Sequence, residues 1–132
     1  MTLIIIQEIL VQKLEARFTG IDNLNRDIVA MARDYTLRRP DDVYDFLKKE
    51  PSAIALVSEA HGRIREHFPQ GEIFMEVLRD PGSPIERELL ISISTSLPPS
   101  DAVRKLDAID DSWWLGASST SPADICIKVE YR

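Results

Sequence analysis

The sequence predicts an α+β domain. N-terminal helices precede a β-β-α-β unit, and its three strands form a mainly antiparallel sheet in the order 2-1-3 with helices on one face. Three features carry this expectation. The hydrophobic period changes from 3.6 to 2 near Gly71. A turn-rich segment, Asp80-Pro81-Gly82-Ser83-Pro84, separates two alternating runs. An amphipathic stretch from Pro98 to Leu115 then leads to a third alternating run at Ile125–Tyr131.

Residues 3 to 18 read as a first helix. Ile6, Leu10, Leu14 and Phe18 recur at i,i+4, and this periodicity outlasts the strand-preferring run Ile4–Ile6. So apolar a stripe must be buried somewhere, and a second copy of the chain would serve. Those four residues are therefore candidate oligomer contacts in a homodimer. Thr19-Gly20 reads as the end of this helix, and Asp22 or Asn23 as the cap of a second, with Leu24, Ile28, Met31 and Tyr35 inward. Pro40 stops it. Residues 1–40 thus read as an N-terminal helical segment, and 41–132 as the α+β core domain.

Asp41 or Asp42 opens a short helix with Val43, Phe46 and Leu47 inward. Pro51 starts a longer one with the stripe Ile54, Val57, His61, Ile64 and Phe68, ending before Pro69 because the residue before a proline is pushed out of helical geometry. Ile73, Met75 and Val77 then face one side, and Glu72, Phe74 and Glu76 the other. Leu89, Ile91 and Ile93 repeat the pattern. In the next helix Val103, Leu106, Ile109 and Trp113 form the inward face, Ser100 is a possible N-cap, and Gly116 suits the terminating position. Ala117–Pro122 reads as a loop. Clean alternation favours antiparallel neighbours, which places the third strand beside the first.

At 132 residues a single domain is the default. With 22 acidic against 16 basic residues the net charge is −6, which disfavours nucleic acid and anionic membranes and suits a basic protein partner. Phe74 with Arg79 has the look of an RNA-binding sheet, but Glu72, Glu76 and Glu130 would repel phosphate. No stretch approaches the roughly 20 apolar residues of a membrane span. The Leu3–Ile6 run lacks a positive flank, so no signal peptide is expected and the cytoplasm is the expected compartment. The single cysteine excludes an internal disulfide.

No nucleotide, metal or catalytic motif stands out, and no cofactor is expected. His61 and His67 are six apart, the wrong spacing for a helical metal pair, and Cys126 lies on the face away from the helices that carry them. Arg38-Arg39 reads as a solvated pair. The Asp110-Asp111 pair sits at the C-terminal end of its helix, where the macrodipole disfavours it. Trp113 and Trp114 are about 100° apart on a helix, so only one can follow the stripe. Trp113 is expected inside and Trp114 at the boundary, where tryptophan anchors interfaces. The candidate interaction surface is therefore Trp114, Asp110 and Asp111 with Phe74, Leu78 and Leu90 of the outward sheet face.

The segments VYDFLKKEP, IREHFP, IFMEVLRDP, LLISISTSL, AVRKLDAIDDSWW and ICIKVEYR resemble a family of small bacterial proteins of unknown function. The resemblance spans Val43 to Arg132, and relatives are associated with gene neighbourhoods resembling toxin–antitoxin pairs. It implies no catalytic residues. The chain departs from the pattern at Gly82, where the resemblance leads one to expect an acidic residue after Asp80-Pro81. The expected function is a non-enzymatic protein-interaction or regulatory module, antitoxin-like, using an acidic surface. The alternative is a small metal-dependent hydrolase or nuclease with dispersed acidic residues.

Overall fold

A four-stranded mixed sheet, layered on one face by helices, forms the body of the molecule. The computed structural model describes residues 19–79 and 87–132. The expected helix over 3–18, its Ile6, Leu10, Leu14 and Phe18 contacts, and the turn at 80–84 lie outside the described residues.

In chain order the elements are α1 (Thr19–Ala32), β1 (Thr36–Leu37), α2 (Pro40–Lys49), α3 (Ser52–His67), β2 (Ile73–Arg79) and β3 (Arg87–Thr95). A long helical rod follows, made of α4 (Pro99–Ile109), a π-helical turn (Asp110–Trp114) and α5 (Leu115–Ser119). Strand β4 (Ile125–Tyr131) completes the sheet. The spatial order is β1-β2-β3-β4. Strand β1 runs parallel to β2, β2 antiparallel to β3, and β3 parallel to β4.

This corrects the expected three-stranded 2-1-3 sheet. Strand β4 pairs with β3, not with β2, because the helical rod carries the chain back over the sheet in a β-α-β crossover. The sequence held a signal for this. The run Leu89-Leu90-Ile91 is continuously apolar, and Leu90 is only 3% exposed although it points away from the helices. A strand buried on both faces is a central strand, and central strands accept parallel neighbours. Strand β1 has two residues, too few to show a period.

Helices α2 and α3 form for the reasons read from the chain. Pro40 occupies the first turn of α2, Asp41 and Asp42 lie at its positive end, and Lys48 and Lys49 at its negative end. Val43, Phe46 and Leu47 are buried at i, i+3 and i+4. Helix α3 buries Ala53, Ile54, Val57, Ala60 and Ile64, and Phe68 caps its end before Pro69. The same core takes in Ile28 and Met31 of α1, Ile73 and Met75 of β2, Leu89, Ile91 and Ile93 of β3, and Ile127 of β4. After α1 the Tyr35 hydroxyl donates to the Val57 carbonyl at 2.6 Å, fixing the entry to β1 against α3. Burial pushes that hydroxyl's pKa far up, so it remains a donor.

Two boundaries differ from expectation. Thr19 and Gly20 are helical and do not end a helix; glycine inside a helix costs only about 1 kcal/mol. Gly116 and Ala117 continue the rod through α5, so the loop begins only after Ser119. The phase of the rod also changes. The Leu115 N–H donates to the Asp110 carbonyl five residues back, which defines the π turn. The extra residue rotates the chain by about 100° relative to a continuous α-helix. Trp114 therefore takes the inward position expected for Trp113 and is 6% exposed. The buried line is Ala102, Ile109 and Trp114, which leaves Val103 outside.

Gly71 leads into β2 with φ +94° and lies against the Ser94 carbonyl, where a Cβ would collide. Only glycine tolerates both conditions.

Candidate functional site

Among the described residues the helices cover one face of the sheet, and strand alternation directs the other row of side chains away from them. Its rows follow from the register: Phe74 lies beside Ser92 and Lys128, and Glu76 beside Leu90 and Cys126. Arg38, just past the end of β1, lays its guanidinium over the Phe74 ring, 3.9 Å from the centroid. It donates to both carboxylate oxygens of Glu130 at 3.0 and 2.8 Å, and lies 3.7 Å from Glu76. One arginine thus ties the β1 edge to the β4 edge. The hydrogen bonds from Arg38 hold the Glu130 carboxyl below the usual carboxylate range. On the same face Ser92 is fully buried, and its hydroxyl has no hydrogen-bond partner among the described residues.

The hairpin ends are held from the helical side. Arg79 and Arg87 face each other across β2 and β3. Arg79 pairs with Asp42 at 3.2 Å and Arg87 with Asp45 at 2.7 Å, two carboxylates one turn apart on α2. Arg87 lowers the Asp45 pKa, with Lys49 adding to the effect. Beside this anchor lies a groove of about 600 Å³ lined by Arg38, Arg39, Asp42, Glu76, Val77, Leu78 and Arg79. Arg39 adopts φ 52°, left-handed geometry that is uncommon outside glycine and disfavoured before proline.

The third feature is acidic. Asp107, Asp110 and Asp111 cluster on the rod around the π turn, and no basic side chain pairs with them among the described residues. The Asp110 pKa is raised, first by burial and then by the charges of Asp107 and Asp111. Trp113 is half-buried and tilted against Trp114 at 5.5 Å, with the Arg63 guanidinium 5.7 Å from its ring centroid.

The expected interaction residues are therefore dispersed. Phe74, Leu78 and Leu90 share the outward sheet face, but Leu90 is buried at its centre and Phe74 lies under Arg38. Leu78, at 44% exposure, is open. Trp114 is in the core and offers no surface, because the π turn moved it there. Asp110 and Asp111 are on the rod, and the Asp110 charge reaches Cys126 at the β4 edge. Arg38, Arg39, Asp42 and Glu76 are the site residues that sequence reasoning passed over. The one available signal was the Arg38-Arg39-Pro40 run, which ends a strand and opens a helix in three residues.

The remaining titratable groups have structural surroundings. His61 is half-buried, with its ring edge-on to Tyr35 at 5.7 Å. His67 Nδ1 lies 3.2 Å from the Arg63 carbonyl. Burial, followed by the Glu88 charge, pushes the Cys126 thiol up, so the thiolate nucleophile is disfavoured. Among the described residues no three His, Cys, Asp or Glu side chains are grouped to hold a metal ion. No helix among them is long and apolar enough to cross a membrane. No protein-family model matches the chain, and no curated protein or solved structure does either.

Proposed function

We propose that this chain is a non-enzymatic protein-interaction or regulatory module that binds a basic protein partner. The ridge of Asp107, Asp110 and Asp111, which has no basic partner among the described residues, carries this reading. Elsewhere Glu130, Asp42 and Asp45 are matched to arginines. The ridge instead holds three carboxylates together around the π turn, where the like charges of Asp107 and Asp111 bear on the partly buried Asp110. A cationic partner would relieve that repulsion and desolvate the half-buried Trp113 beside it.

The test is capture of partners on the immobilised full chain, followed by titration of the captured protein against wild type and an Asp110→Asn/Asp111→Asn variant. The expected partner is basic, binds the variant about ten-fold more weakly, and weakens with salt. No retained protein, or equal binding to both forms, overturns the reading.

A further inference from the structure

We propose that the open end of the β2 edge is a strand-addition site for an extended peptide carrying an apolar and an acidic side chain. This surface is separate from the acidic ridge. The argument begins with hydrogen-bond directions. Ser94 N–H donates to the Glu72 carbonyl, so the even-numbered residues of β2 direct their main-chain groups toward β3. The odd-numbered residues point the other way, and Arg38 N–H accordingly donates to the Met75 carbonyl. Strand β1 ends there. The left-handed turn at Arg39 sends the chain into α2, so Val77 and Arg79 direct N–H and C=O groups into the groove with no main-chain partner among the described residues.

These groups alternate donor and acceptor. A free anion would satisfy only the donors. An extended backbone satisfies both, and about four residues would span the two outward-directed positions. The groove's side chains define the rest of the occupant. Arg38 is matched to Glu130 and Glu76, and Arg79 to Asp42. Arg39 has no side-chain partner among the described residues, so it leaves a local positive charge on an otherwise acidic chain. A carboxylate on the added strand would meet Arg39, and an apolar side chain on the outward face would cover the exposed Leu78.

The test is an amide-shift titration of the isotope-labelled full chain with a blocked pentapeptide of alternating valine and glutamate. Shifts are expected at the Val77, Leu78 and Arg79 amides. N-methylation of the peptide's central residue keeps its side chains but removes a main-chain donor, and should weaken binding about ten-fold. The Arg39→Glu variant should prefer the valine–lysine counterpart, and the Asp110→Asn/Asp111→Asn variant should bind as wild type does. Three results would overturn the proposal: no shift at these amides at millimolar peptide, indifference to N-methylation, or shifts confined to Asp107–Asp111.

Discussion

Arg38 and Glu130, ninety-two residues apart in the chain, meet through two hydrogen bonds across the outward face of the sheet. The strands between them, β2 and β3, are held from above by this clasp and from below by the core. Both side chains are about one-third exposed, at 35% and 36%, which limits the gain from charge alone. A double-mutant cycle of Arg38→Ala and Glu130→Gln should give a coupling of about 0.5–1 kcal/mol by urea denaturation. Arg38→Ala should cost more than Glu130→Gln, since it also uncovers Phe74.

The same pair sets part of the acid response. Glu130 and Asp45 ionise at lower pH in the folded chain than in the unfolded one, chiefly through Arg38 and Arg87 respectively. A lowered folded pKa stabilises above the ordinary carboxyl range of about 4 and is lost as pH falls through the folded value. Glu130→Gln and Asp45→Asn should therefore be less stable than wild type near neutrality. The difference should shrink progressively below about pH 5, as measured by denaturation midpoints across pH.

The two tryptophans should behave oppositely to a simple helical wheel. Trp114→Ala removes a core side chain and should cost about 3–5 kcal/mol. Trp113→Ala removes a half-buried ring and should cost clearly less. Equal losses, or a larger loss at Trp113, would show that the π turn does not set the phase of the rod.

The glycines divide the same way. Gly71→Ala forces a Cβ against the Ser94 carbonyl at positive φ and should destabilise by more than about 2 kcal/mol. Gly62 is in mid-helix with open space where a Cβ would go. Gly62→Ala should stabilise by about 0.5–1 kcal/mol. Thermal melts of the two variants should shift in opposite directions.

Ser92 buries a hydroxyl that has no partner among the described residues. Replacing it with alanine removes an unmet desolvation cost of about 1–3 kcal/mol. Ser92→Ala should match or exceed wild-type stability in denaturant titration. A loss beyond about 1 kcal/mol would mean the hydroxyl is satisfied in solution.

Much of the architecture was legible in the chain. The change of period at Gly71 marks the passage from helix to sheet, and the stripes of α2 and α3 fall where Val43, Phe46, Ile54 and Ile64 predict. Strand order is not legible from the alternation of β2, because Leu90 breaks that pattern in β3. The position of Trp114 is not legible either, because a one-residue change of phase has no signature in hydrophobic spacing. Strand β1 and the Arg38 clasp were illegible for a different reason. A two-residue strand has no period, and a contact across ninety-two residues exists only once the sheet has brought its edges together.

Cys126 has a practical consequence. It is the chain's one thiol, it sits half-covered in the edge strand, and burial keeps it protonated at neutral pH. Maleimide or iodoacetamide should therefore modify it sluggishly in the native protein. Any acceleration in mild denaturant would time the fraying of β4 from β3, giving a built-in clock for opening of the sheet that requires no engineered probe.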